Sequence, residues 1–225
     1  EESCETLFSE ADRRGFRDNI NDSVLANCQN AFGDEVTKDS IFYYIYGVLH
    51  SAEYRATFKA DLEKQDARIP QAKCGQDFWA FSKAGRDLAD LHLKYEKVEP
   101  WPDLEIQHTL AWNPKTVDAY RVEKMRYAKN GKATALTTII YNSDITIAGI
   151  PEEAHDYRLG ARSAIDWIID RYQIRTHKDS GIVNDPNDWA DEHDDPSYIF
   201  DLLRRIVTVS MRTNEIVAGL PKLKF

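Results

Sequence analysis

Long apolar runs are missing from this sequence. No stretch approaches the roughly 18 apolar residues that a membrane-spanning helix requires. The N-terminal residues also lack the basic flank and apolar core of a secretory signal peptide. An embedded or exported protein is therefore not predicted, and we expect a soluble protein of the cytoplasm.

Cysteine, glycine and proline are scarce. The three cysteines, Cys4, Cys28 and Cys74, are odd in number and show no CxxC spacing, so a disulfide framework is not predicted. This usage agrees with a reducing compartment. The sequence has only 10 glycines and 8 prolines, whereas aromatic residues reach 11%, which argues against a linker or a low-complexity segment.

Motifs of catalytic and nucleotide-binding sites are also absent. The sequence has no GxxxxGKS or GxxxxGKT phosphate loop, no GxGxxG turn, no GxSxG elbow and no HExxH helix. The acidic run from Asp185 to Asp195 does not match an EF-hand loop, so a solvated loop is favoured over a metal site. We therefore expect no catalytic residue, no metal site and no cofactor.

Positive charge is in deficit over the whole chain. Lysine and arginine number 29 against 38 acidic residues, a formal net charge of -9. Because DNA binding relies on cations that neutralise phosphates, this balance excludes a free-standing module that coats DNA. The segment from Lys115 to Lys132 differs, since it has six basic and two acidic residues, a local excess of four positive charges.

Apolar residues recur at three- and four-residue steps in the first half, which predicts four helices. The first runs from Asp18 to Phe32 and stops at Gly33, and the second follows the N-cap Thr37. The third begins after Ser51 and ends before Pro70. One face of the fourth is predicted to carry Phe78, Phe81, Leu88, His92 and Tyr95.

Sequence typical of strands follows residue 99. Three segments, Leu104–Trp112, Tyr120–Tyr127 and Ala135–Ile147, are rich in β-branched and aromatic residues, and Asn142-Ser143 resembles a hairpin turn. They predict an antiparallel sheet of three or four strands.

Helical periodicity returns near Arg162 and again from Pro196, with a polar loop from Lys178 to Asp195 between them. The predicted fold class is therefore α+β. We expect a helical part over residues 1–98 and a part with strands and C-terminal helices over residues 99–225, packed as one unit.

The local basic excess is the strongest sign of a binding surface. In a strand, Lys124 and Arg126 would share one face with Tyr120 and Val122, and residues 129–132 would form a basic turn. Such side chains contact phosphates or base edges, although an ordinary charged hairpin has the same pattern. The predicted DNA-binding residues are Lys115, Arg121, Lys124, Arg126, Lys129, Asn130 and Lys132.

Longer runs of the sequence resemble one family. They are RDNINDSVL, DSIFYYIYGVLHSAEYRATFKADLEKQDARIP, FWAFSKAGRDLADLHLKYE, and the stretch from YNSDITIAGIP through RSAIDWIIDRYQI to SGIVNDPNDW. Together they resemble the C-terminal specificity domain of Type ISP restriction-modification enzymes, from Arg17 to Leu220. The sequence departs from the family pattern at Ala52, where proline is favoured, and at Asp66-Ala67, where a Leu-Pro pair is favoured.

The resemblance implies a role within a larger polypeptide. Enzymes of this family join a nuclease, an ATP-driven motor, an adenine methyltransferase using S-adenosylmethionine and a target-recognition domain. The expected function is DNA target recognition that positions duplex DNA for methylation and restriction, without catalysis by this chain. The expected partners are duplex DNA and the methyltransferase and motor domains of the same polypeptide.

Two other functions remain open from the sequence. The acidity favours an interaction scaffold that docks on the methyltransferase or motor domain with little DNA contact. An independent nuclease that uses the acidic residues near Asp188 is the other alternative, against which the missing motifs count. A continuous basic surface would favour DNA recognition, and a large apolar patch would favour docking.

Overall fold

A computed structural model of the chain describes residues 19–116 and 118–223. They form two compact units, one with residues up to Arg86 and from Leu220 onward, the other with Asp87–Gly219. The predicted division at residue 98 stays a prediction. Within the described ranges, no helix is both long enough and apolar enough to span a bilayer.

The first unit is helical. Its first helix begins four residues later than predicted, after the N-cap Asn21, whose side chain accepts a hydrogen bond from the Val24 amide at 2.9 Å. The predicted start, Asp18, lies outside the described residues. The helices are α1 (Asp22–Phe32), α2 (Lys38–His50), α3 (Ala52–Thr57), α4 (Lys59–Leu62) and α5 (Gly75–Leu93), which enters the second unit at Asp87.

The helix boundaries predicted at Gly33, Thr37 and Ser51 are confirmed. Gly33 has φ 114° and its amide donates to the Gln29 carbonyl at 2.9 Å. Thr37 and Ser40 exchange side-chain-to-backbone hydrogen bonds of 2.9 and 3.1 Å, a capping box. Ser51 accepts from the backbone amide of the third residue after it.

The predicted third helix is wrong in its extent. Phe58 leaves helical geometry between α3 and α4, and α4 ends at Leu62, eight residues before Pro70. The buried Tyr54 donates its hydroxyl hydrogen bond to the Arg68 carbonyl at 2.9 Å, and Tyr44 donates to the Pro70 carbonyl at 2.6 Å. These bonds hold residues 68–70 in a non-helical path.

Two glycines bring α2 and α5 into backbone contact. A Cβ added at Gly85 would lie 1.8 Å from the Tyr43 carbonyl oxygen, and one at Gly47 would lie 2.4 Å from the Phe81 carbonyl oxygen. Backbone atoms cannot rotate away as a side chain can, so a methyl group here must separate the helices. The buried rings of Tyr44, Phe78 and Phe81 lie beside this contact.

The second unit contains an antiparallel sheet with strand order β1-β4-β3-β2. The sheet confirms the predicted fold class and the turn at Asn142-Ser143. A register shift between Tyr127 and Ala128 leaves three residues of the partner strand outside the pairing. The strands are β1 (Glu105–His108), β2 (Arg126–Asn130), β3 (Ala133–Ile140) and β4 (Ile145–Ala148).

Helices cover the sheet through one buried cluster. Ile139, Ile145 and Ile147 on the strands pack in one core with Ile165 of the helix Ala164–Arg171 and Leu203 of the helix Tyr198–Ala218. The remaining elements complete the unit in chain order. They are turns of 3-10 helix at Tyr95–Lys97 and Glu152–His155, β5 (Arg158–Leu159), β6 (Arg162–Ser163), α6 (Ala164–Arg171), β7 (Arg175–Thr176), β8 (Val183–Asn184), α7 (Asp188–Glu192) and α8 (Tyr198–Ala218).

Three predicted boundaries in this unit need correction. Tyr95 lies in the 3-10 turn after α5 and not in the helix, and Pro196 precedes Ser197, the N-cap of α8. The predicted loop over Lys178–Asp195 contains β8 and α7. These short elements form in a polar stretch because they hydrogen-bond to other parts of the chain. Hydrophobic periodicity does not reveal such bonds.

We expect Gly85→Ala to lower the free energy of unfolding by about 1–3 kcal/mol, because overpacking at the helix contact outweighs the helix propensity that alanine gains. Urea unfolding of the purified chain measures the change. Gly75→Ala is the matched control, since it lies in the same helix and its Cβ would meet nothing closer than 3.8 Å. Equal effects of the two substitutions would contradict the close contact.

Candidate nucleic-acid interface

The predicted strand Tyr120–Tyr127 is largely absent. Only Arg126 and Tyr127 belong to β2, and we call residues 118–125 the linking segment. Val122 and Met125, three residues apart, are 0% and 2% exposed, whereas Lys124 and Arg126 are exposed. The prediction that Lys124 and Arg126 share a face with Tyr120 and Val122 is therefore wrong.

Side chains replace strand pairing along the linking segment. The buried amide of Asn187 accepts from the Val122 N–H at 2.9 Å and donates to the Val122 carbonyl at 2.8 Å. Tyr141 donates its hydroxyl hydrogen bond to the Tyr120 carbonyl at 2.7 Å, and burial raises the pKa of this phenol. The backbone groups of a non-strand segment are thereby satisfied inside the core.

Asn142 has two roles in the same region. Its side-chain oxygen accepts from the amides of Asp144 and Ile145 at 2.9 and 2.8 Å, which fixes the turn between β3 and β4. Its amide nitrogen donates to the Arg121 carbonyl at 3.1 Å. One side chain therefore shapes the turn and fastens the linking segment to it.

Arg121 is the predicted DNA-binding residue that the structure holds in ion pairs. Its guanidinium pairs with Asp185 and, at 3.4 Å, with Asp191. The Asp185 side chain is only 14% exposed, and it also accepts from the Asn187 amide groups at 2.7 and 2.9 Å. Arg121 is therefore neutralised, and part of the acidic run serves as its counter-charge.

A cavity of about 750 Å³ lies between the linking segment and the β3–β4 turn. Besides Arg121, its lining has the cations Lys124 and Arg126, which form no side-chain ion pair among the described residues. The lining also contains the carboxylates of Asp118, Glu123 and Asp144. The cavity thus combines hydrogen-bond donors and acceptors, the combination that base edges present.

The remaining predicted residues lie outside this cavity. Lys129, Asn130 and Lys132 are exposed around the two-residue turn that joins β2 to β3, where Gly131 has φ 62°. The predicted basic turn is therefore confirmed as local structure. Lys115 is exposed in the loop after β1, where its backbone amide donates to the Asn113 side chain at 3.1 Å.

A hydrogen bond ties the base of this hairpin to α6. Tyr127 donates to Asp166 at 2.7 Å, and burial together with this bond raises the pKa of the phenol. Burial opposes ionisation of Asp166, but hydrogen bonds from Tyr127 and Ser163 outweigh it and lower the pKa of the carboxyl. The Asp166 carboxylate thus has two roles: it binds Tyr127 of β2, and it is part of the capping box at the start of α6.

Sequence reasoning missed Asn187 as an organising residue. It lies in the run NDPND, which has the composition of a solvated loop. No periodic signal marks an asparagine whose partner is 65 residues away. In the described residues, no group of His, Cys, Asp and Glu is arranged to hold a metal ion.

We expect Asn187→Ala to lower the free energy of unfolding by about 2–4 kcal/mol, because both backbone groups of Val122 would lose their partner inside the core. Asn184→Ala, at an exposed position three residues earlier, is the control and should change stability by less than about 0.5 kcal/mol. Chemical denaturation of both variants measures the difference. An equally small loss of stability in both variants would contradict this prediction, because it would show that water takes over the hydrogen bonds of the Asn187 amide.

The second unit thus places a polar cavity and exposed cations beside an antiparallel sheet, an arrangement typical of a binding module. The family model for the Type ISP C-terminal specificity domain matches residues 2–202. The chain belongs to this family. No curated protein matches the sequence.

Solved structures of related enzymes give the same assignment. The chain is similar to the ATP-dependent Type ISP restriction-modification enzyme LlaBIII bound to DNA, with 39% identity, a TM-score of 0.77 and 91% of this chain covered. It is similar to a nuclease-deletion mutant of the Type ISP enzyme LlaGI in complex with a DNA substrate mimic, with 44% identity, a TM-score of 0.73 and 85% covered. The DrdV-DNA complex matches with 28% identity, a TM-score of 0.74 and 92% covered. This chain spans 12%, 17% and 20% of those three chains, respectively.

Proposed function

We propose that this chain recognises a DNA target site for a Type ISP restriction-modification enzyme and holds the duplex in position for adenine methylation and restriction. The observation that carries the proposal is the match to the specificity-domain family over residues 2–202, together with similarity over most of the chain to Type ISP enzymes solved with DNA. Its expected partners are duplex DNA and the methyltransferase and motor domains of one polypeptide.

The geometry supports two kinds of contact. Lys124 and Arg126 adjoin acceptors in the cavity, an arrangement suited to base edges. Lys129 and Lys132 are exposed at a hairpin tip with no ion pair among the described side chains, an arrangement suited to phosphates. Arg121 acts through the ion pairs that shape the cavity. Lys115 and Asn130 stay predicted contacts.

We expect Lys129→Ala with Lys132→Ala to reduce the slope of log affinity against log salt concentration by roughly two, about one for each lost phosphate contact, with sequence preference retained. Binding of an intact enzyme carrying this chain to its site and to one-base variants, across a salt series, measures both quantities. Lys129→Arg with Lys132→Arg keeps the charge and should keep the slope.

The cavity pair should behave differently. Lys124→Ala or Arg126→Ala should cost about 1–3 kcal/mol of binding and relax discrimination at one base position, if either side chain makes a bidentate base contact. Circular dichroism confirms that each variant remains folded. Unchanged affinity, salt slope and preference in all three alanine variants, the double one and the two single ones, would mean that these residues form only a charged hairpin.

We further propose that the chain has no catalytic activity of its own. The carboxylate that an acidic nuclease site would need, Asp185, is already bound to Arg121 and Asn187. We expect no ATP hydrolysis, DNA methylation or DNA cleavage by the purified chain. Magnesium-dependent cleavage that disappears in Asp188→Ala, a substitution at an exposed residue, would contradict this expectation.

The exposed ring of Phe42, next to the half-buried Tyr46, favours a docking role as a second function for the first unit. Phe42 is 53% exposed, and its ring stacks on Tyr46 one turn later, with 6.4 Å between the centroids. A helix face of this kind suits contact with another protein domain. Phe42→Ser should weaken association with the methyltransferase domain in a pull-down while the DNA salt slope of the intact enzyme stays unchanged.

A further inference from the structure

A projecting hairpin is formed by residues 175–184. β7 pairs with β8, the His177 amide donates to the Ile182 carbonyl at 2.9 Å, and the Gly181 amide donates to the His177 carbonyl at 2.8 Å. Gly181 has φ 69°, which permits the tight reversal. Every residue from 175 to 184 is exposed.

Neither face of the hairpin is covered by the rest of the unit. Neighbouring residues of an extended segment point to opposite faces. The exposure of Ile182 and of Val183 therefore shows whether each face of the hairpin is covered. These two residues are 63% and 57% exposed, respectively. A ribbon that lay on the protein would bury one of the two. This ribbon therefore presents an apolar side chain on each face and stands away from the core.

Both ends of the hairpin are fastened to the linking segment. On the entering side, the Ile174 amide donates to the Glu123 carbonyl at 2.9 Å, and Gln173 forms a bridge with Lys124. On the leaving side, Asp185 pairs with Arg121, and Asn187 binds Val122. The hairpin is thus anchored to residues 121–124, three of which line the cavity.

The hairpin has two basic side chains, Arg175 and Lys178, and one acidic side chain, Asp179. Arg175 is paired with Asp170 at 2.8 Å, whereas Lys178 has no ion pair among the described residues. A two-stranded ribbon has the width that the major groove of B-DNA admits, and apolar side chains in that groove contact thymine methyl groups. A free lysine at the turn is placed for a phosphate at the groove edge.

We infer that this hairpin enters the major groove of the duplex that the cavity cations contact, with Ile182 and Val183 on base edges and Lys178 on the backbone. The inference rests on the proposed DNA-recognition function and adds a second contacting element to it. The inference gives the run SGIVND a role in contacting DNA bases. From composition alone, this region is predicted to be a solvated loop.

The test uses an intact enzyme carrying this chain and a duplex with its recognition site. Ile182→Ala with Val183→Ala should weaken site-specific binding by about tenfold while leaving the salt slope unchanged, because apolar contacts release no counterions. Lys178→Ala should lower the slope by about one. Leu159→Ala is the matched control, since Leu159 is a 47% exposed leucine in the β5–β6 hairpin, and its replacement should change neither quantity.

Methylation interference identifies the groove. Dimethyl sulfate modifies guanine N7 in the major groove and adenine N3 in the minor groove. N7 methylation should weaken binding of the unaltered enzyme at a run of positions to which the Ile182→Ala, Val183→Ala enzyme is insensitive. Interference only at adenine N3, or full affinity in the double variant, would overturn the inference. If the Lys124, Arg126, Lys129 and Lys132 variants still lose affinity, the proposed function stands without it. If those variants also bind normally, the proposed function fails as well.

Discussion

The two hydrogen bonds between the Asn187 amide and the Val122 backbone fix the linking segment, and the candidate interface of the second unit depends on that segment. A polypeptide that passes through a core outside regular structure must find partners for its peptide groups, or lose about 1–3 kcal/mol for each one that stays unpaired. A primary amide has one donor side and one acceptor side, so it imitates the edge of a neighbouring strand. Val122 can then be fully buried while Lys124, two residues later, remains in solvent.

This arrangement also explains how an acidic chain can present free cations. Asp185 and Asp191 form ion pairs with Arg121, and these pairs stabilise the wall of the cavity. Lys129 and Lys132 of the β2–β3 hairpin form no ion pair among the described residues. Net charge sums over both kinds of group and therefore says little about the potential at one surface. The local excess between Lys115 and Lys132 is a better guide, although it counts Arg121 as if it were available.

Periodicity and caps predicted most of the helices because these are local signals. Thr37 and Ser51 bond to residues within the following turn, so the sequence contains both partners side by side. The third helix and the strand Tyr120–Tyr127 were predicted wrongly for the opposite reason. Tyr54 bonds to a carbonyl 14 residues away, and Asn187 bonds to a backbone 65 residues away, and such distant partners override local propensity. The candidate cations were found from composition and Asn142 from its turn signal, whereas Asn187, which fixes the linking segment, was not found.

The exposed tip of the β2–β3 hairpin has one further consequence. Lys129, Asn130 and Lys132 bury nothing, while the interior bonds that support them come from residues elsewhere in the chain. Substitutions at the tip therefore leave the folding equilibrium nearly untouched. Under the proposed function, the strength of the phosphate contacts can therefore change at the tip in single steps, without a compensating change in the core.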